Sequence, residues 1–235
     1  MRWLLILAVV GCGGDLDPPW QLDHDRIVAI RATPPAIASG ESSTLDGLVA
    51  VKGGPADERA PDIAVVVSPK ALTSALAFSG GAWTITAPDE EALQRGRDEL
   101  GIAAGMPVPL QLGVCFAAAA CADQSAPQLV GLKSVALGMQ QANPTLPPVQ
   151  INDATAPAPD TEIVADALAD LPLHVEVADT DEVDWLTSAG TMHDDDLPTA
   201  HISFEDEDPL EGQLAVVVRD GKGGVTWQVW SLRAE

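Results

Sequence analysis

The chain has 235 residues, with 35 Asp and Glu against 12 Lys and Arg, a formal charge of −23 and a pI near 4.1. Such a polyanion is repelled by phosphate backbones and anionic headgroups, which excludes nucleic acid as an expected partner. At 46% hydrophobic residues the chain is too apolar to stay unfolded over most of its length.

The first element is an address. Arg2 supplies a positive charge and Trp3 to Val10 an apolar core of signal-peptide length. That core is well short of the roughly 20 residues that cross a bilayer. Val9-Val10-Gly11-Cys12 then resembles the lipobox of bacterial lipoproteins. The resemblance implies cleavage before Cys12, a diacylglyceryl group on its thiol and a further acyl chain such as palmitate on the new amine. Two or three chains anchor a protein stably. Gly13 stands where enteric lipoproteins kept in the inner membrane carry aspartate, so the resemblance favours the outer membrane. A buried or disulfide-bonded Cys12 is the alternative. Residues 1–11 are thus read as signal peptide and 12–23 as a lipidated tether.

A first β-sandwich is expected over 24–138. Asp25 to Thr33 alternates apolar and polar residues and stops at Pro34-Pro35, as an edge strand does. Ser43 to Val51 reads as the next strand. Ile63-Ala-Val-Val-Val-Ser68 is a continuous apolar run, expected to be buried on both faces. Ala82 to Thr86 is a short strand. Pro88 to Leu100 changes to helical punctuation, with Pro and acids in its first turn and Gly101 after its end. Val108–Phe116 and Gln128–Leu137 are two strands around a small loop flanked by Cys115 and Cys121. In an oxidising compartment these cysteines are expected to close a disulfide, contributing roughly 2 kcal/mol in the chain-entropy model.

Residues 139–161, rich in Pro and Ala, read as a linker with one short strand, Val149–Ile151. A second sandwich is expected over 162–235. Its clearest feature is the hairpin Gln213 to Trp230, with Asp220-Gly221 and Gly223-Gly224 at the turn. Val225, Trp227 and Val229 share one face of that hairpin, while Thr226, Gln228 and Trp230 share the other. Val183-Asp-Trp-Leu-Thr-Ser-Ala-Gly190 with the later hairpin resembles PKD and related immunoglobulin-like modules. Ile27 to Val49 resembles the opening strands of bacterial immunoglobulin-like domains. The expected fold is therefore all-β: two immunoglobulin-like sandwiches with one short helix inserted in the first. The resemblance implies spacer, adhesion or contact roles.

Three clusters could carry chemistry. Asp179, Asp181, Glu182 and Asp184 place hard oxygen ligands close together, as calcium requires, but the calcium-loop glycine is missing. A solvated turn is the other reading. His193 and His201, eight residues apart with Asp194, Asp195 and Asp196 between them, offer imidazole and carboxylate to zinc or manganese in no established spacing. Glu205-Asp-Glu-Asp208 reads as an exposed turn. Weak calcium binding by Asp179, Asp181, Glu182, Asp184, Asp194 and Asp196 would require these loops to converge. Trp185 and Trp227 read as core, with a sugar-binding platform as the alternative. No nucleophile elbow, zincin helix, phosphate loop or dinucleotide fingerprint occurs.

Together these readings describe a lipid-anchored cell-envelope protein with a structural or binding role and no catalysis. It needs no cofactor, and its expected partners are an envelope protein or a polysaccharide. A calcium-dependent adhesion or carbohydrate-binding lipoprotein is the first alternative. A metal-assisted hydrolase built on His193, Asp195 and His201 is the second.

Overall fold

The computed structural model describes residues 18–117, 121 and 129–235; the proposed signal and Cys12 lie outside them. The first half contains strands β1 (Arg26–Thr33), β2 (Ala36–Ile37), β3 (Ser42–Ala50), β4 (Asp57–Arg59) and β5 (Ile63–Ser68). After a 3-10 turn, Lys70–Ala75, come β6 (Leu76–Ser79), β7 (Ala82–Thr86), helix α1 (Glu90–Leu100), β8 (Val108–Cys115) and β9 (Val130–Leu137). One sheet has the order β1-β3-β7-β6, with β4 also on β3, and the other the order β2-β9-β8-β5, with β2 parallel to β9. Lettered in chain order, these are the A-B-E-D and A′-G-F-C sheets of an immunoglobulin-like sandwich. Leu45, Ile85, Leu93, Leu110, Leu112 and Leu137 fill the space between them.

The second half repeats this layout. It contains β10 (Val149–Ile151), β11 (Ala154–Thr155), β12 (Ile163–Ala165), β13 (Leu171–Val175), β14 (Glu182–Thr187), β15 (Thr191–His193), β16 (Thr199–Ser203), β17 (Glu211–Arg219) and β18 (Val225–Ala234). The sheets run β11-β10-β13-β16-β15 and β12-β18-β17-β14, again with a parallel pair, β12 on β18. Trp185, on the strand equivalent to C, is fully buried and donates its indole N–H to the Leu197 carbonyl at 3.0 Å. Both halves are immunoglobulin-like sandwiches. Val149–Ile151, expected as an isolated strand of the linker, pairs with β13 and so belongs to the second sandwich.

Local rules account for much of this. In α1 the Asp89 carboxylate accepts from the Ala92 N–H at 2.9 Å, so the helix starts two residues after Pro88. Gly101 closes it at φ 67°. Gly96, costly in an open helix, lets the helix sit close against the 3-10 turn: a Cβ would lie 3.0 Å from Leu72 Cδ1 and 3.3 Å from Pro69 Cγ.

The two sandwiches are fused rather than strung apart. The outer face of β1 and β3 meets the outer face of β14, β17 and β18 in a third apolar cluster that includes Val28, Leu48, Leu186, Val217 and Trp227. Strand β17 consequently buries both faces: Leu214, Val216 and Val218 enter the second core, while Ala215 and Val217 enter the seam. Polar ties border the seam. Asn143 donates to the Ala32 carbonyl at 2.9 Å and accepts from the Val225 N–H at 3.0 Å. The Arg31 guanidinium lies 3.9 Å over the Trp227 ring and pairs with Asp46 and Glu58. Trp227 is therefore buried in the seam, not in a sandwich core.

Candidate functional site

The acidic clusters do not assemble. Asp179 and Asp181 lie in the β13–β14 loop, Glu182 and Asp184 on β14, and Asp194 and Asp196 in the β15–β16 loop. Asp184 is turned to the Arg219 guanidinium. Among the described residues, no three His, Cys, Asp or Glu side chains are placed to hold a metal ion. The six residues expected to converge on calcium therefore form no common site. Asp208 instead caps its own turn, accepting from the Glu205 N–H at 3.0 Å. His193 and His201 do meet, as directly opposed residues of β15 and β16 with ring centroids 4.5 Å apart and planes 12° apart. Asp195 does not join them as a third ligand; its backbone carbonyl accepts from the Trp185 N–H at 2.7 Å.

A cleft of about 530 Å³ opens where the two sandwiches meet, its lining including Ile27, Ile30, Val130, Leu132, Lys133 and Arg219. Lys133 donates to the Gly223 carbonyl at 2.8 Å, and Arg219 to the Val28 carbonyl at 2.9 Å and to Asp184. Burial pulls the Lys133 pKa down to about 8; Asp220 and Asp46 oppose that pull, and the like charge of Arg219 reinforces it. Burial likewise lowers Arg219. Both cations thus tie one sandwich to the other. The sequence held a sign of this, because Lys133 and Arg219 bracket a stretch containing 18 Asp and Glu and no Lys or Arg.

The third feature is a sheet face that no other described residue covers. Ile63, Val65 and Val67 on β5 are 38%, 53% and 40% exposed, and Val130 and Leu132 on β9 are 54% and 73% exposed. This corrects the expectation that Ile63–Ser68 is buried on both faces. Strand β5 is an edge strand with only its inner side chains, Ala64 and Val66, buried. Gly113 lies between the two apolar rows, where a Cβ would touch Val65 and Val67 at 3.4 Å. At the rim of this sheet Cys115 and Cys121 are joined in a disulfide, Cα to Cα 6.4 Å.

No family model and no curated protein matches the chain. Among solved structures, the Ig1-2 module of the Drosophila receptor protein tyrosine phosphatase DLAR is 11% identical, over 88% of this chain and 98% of that one, with a TM-score of 0.31. Murine CEACAM1b is 11% identical over 88% and 98%, with a TM-score of 0.27. The EC1-4 segment of Drosophila N-cadherin is 12% identical over 91% of this chain and 51% of that one, with a TM-score of 0.26. Scores this low carry no functional argument, and the strand order above is what identifies the fold. Among the described residues no helix is long and apolar enough to cross a membrane.

Proposed function

We propose that the protein is a lipid-anchored component of the bacterial cell envelope, most consistent with the outer membrane, that serves a structural or binding role without catalysis. The anchor reading rests on Val9-Val10-Gly11-Cys12 behind a short apolar core. The observation that carries the binding role is the uncharged face formed by Ile63, Val65, Val67, Gly113, Val130 and Leu132 on a chain of charge −23. Contiguous exposed apolar surface on an otherwise solvated molecule marks a contact surface.

Labelled palmitate and membrane fractionation test the anchor. Wild type should take up label and sediment with membranes, and Cys12→Ala should do neither. A soluble, unlabelled wild type would remove the anchor. A photo-reactive residue at position 132 tests the role, with a control at the 96% exposed Leu168. Adducts in intact cells from 132 alone support a docking face; equal labelling from both positions would refute it.

A further inference from the structure

The outward face of β13, β16 and β15 has an unusual composition. Its outward positions include Pro172 and His174 on β13, Thr199, His201 and Ser203 on β16, and His193 on β15, and none of those three strands presents a Lys, Arg, Asp or Glu outward. Three of the chain's four histidines therefore stand on one small sheet face. His193 and His201 are cross-strand partners, already face to face at 4.5 Å. His193 Nε2 lies 2.9 Å from the Ser203 hydroxyl, and His174 Nδ1 lies 3.0 Å from the Thr199 hydroxyl. His174 pairs with Thr199, two residues from His201, so it sits one diagonal step from the pair.

We propose that His193 and His201 form a two-imidazole chelate for a divalent transition ion of the copper, nickel and zinc group, completed by water. Imidazole is a borderline-soft donor that suits these ions, whereas calcium and magnesium take oxygen. With metal–nitrogen bonds of about 2.0–2.1 Å, two ligating nitrogens on one tetrahedral ion stand roughly 3.3 Å apart. The stacked rings present nearly parallel planes, so chelation requires both to turn about their side-chain torsions until their nitrogens converge on the ion, with His193 exchanging its serine partner for the ion. The rigid antiparallel register holds both Cα positions, so little conformational freedom is lost on binding. No cationic side chain on the outward positions of these strands competes, and the chain's negative charge raises the local concentration of dications. The inference stands apart from the lipid anchor and from the apolar face of the first sandwich.

The test uses the full chain, stripped with chelator and melted with Cu²⁺, Ni²⁺, Zn²⁺ or Ca²⁺ supplied singly. An ion bound to the native state raises Tm. The expected result is the largest rise with Cu²⁺, smaller rises with Ni²⁺ and Zn²⁺, and none with Ca²⁺, following the Irving–Williams order. His193→Gln and His201→Gln should each abolish the rise, and His174→Gln should keep it. Acidification should weaken it, because a ligating imidazole must be unprotonated. No rise in wild type, a rise that survives in both variants, or an equal rise with Ca²⁺ would overturn the proposal. Should either variant fail to fold, the Cu²⁺ electron paramagnetic resonance spectrum of wild type decides. Superhyperfine splitting from two imidazole nitrogens is expected, and one or none refutes the chelate.

Discussion

Strands β5 and β17 carry nearly the same string, Ala-Val-Val-Val at 64–67 and at 215–218. In β17 every residue of that run is buried; in β5 the outward ones are exposed. The two strands hold related places, β5 at the C position and β17 at the F position of equivalent sheets. What differs is the neighbour. The outer face of the second sheet is covered by β1 and β3 of the first sandwich, and the outer face of β5, β8 and β9 is covered by nothing among the described residues. An unbroken apolar run thus states that both faces are fit for burial. It does not state what buries them.

That contrast can be broken most directly with a charge. Val217→Asp places a carboxylate in the seam, where Val217 is 0% exposed. It should cost about 3–5 kcal/mol in urea unfolding, as an uncompensated buried charge does. Its counterpart Val65→Asp sits on the bare face and should cost about 0.5 kcal/mol or less. Equal losses for the two would mean that the β5 face is covered after all. Between these lies the disulfide at the rim. Replacing Cys115 and Cys121 together by serine should remove roughly 2 kcal/mol under oxidising conditions and nothing under reducing ones. Chemical unfolding with and without reductant checks this.

A further effect concerns the seam's own charge. Lys133 has a native pKa near 8, below its ordinary 10.5, because burial disfavours the ammonium. Between those values the unfolded chain binds more protons than the folded one, so stability rises with pH across that window. Wild type should therefore gain stability relative to Lys133→Met when unfolding is measured at pH 7.5 and again at pH 10.5. The chain contains no tyrosine, so no phenol titration overlaps. A difference that stays flat with pH would place the Lys133 ammonium in water.

What the sequence disclosed follows the range of the forces involved. Helix α1, the β17–β18 hairpin and the pairing of Cys115 with Cys121 are set by caps, turn residues and short loops, so they were legible with boundaries off by only a residue or two. The burial of Trp185 followed from its alternation on a strand. Trp227 alternates equally well, yet its burial depends on Arg31 and Glu58, far away in the chain. Strand β10 looked like linker because it directly follows Asn143-Pro144 and Pro147-Pro148 while its partner β13 begins only at Leu171. The histidines were visible as residue types, but only the register of β15 on β16 makes His193 and His201 opposites. The acidic clusters were visible too. Their dispersal reflects separate loops and the claim of Arg219 on Asp184.

The chain enters the molecule at an instructive place. Leu22 is inserted into the seam, its N–H bonded to the Thr187 carbonyl at 2.9 Å, while Thr187 donates to the Trp20 carbonyl at 2.9 Å. A pull on the polypeptide ahead of Pro18 therefore loads β14 of the second sandwich and, within a few residues, β1 of the first. In beads on a string the same tension passes through every bead, and the weakest lengthens first. Here the entering segment is bonded to one sandwich and packed against both, so a pull bears on the contact between them as well as on either sandwich alone.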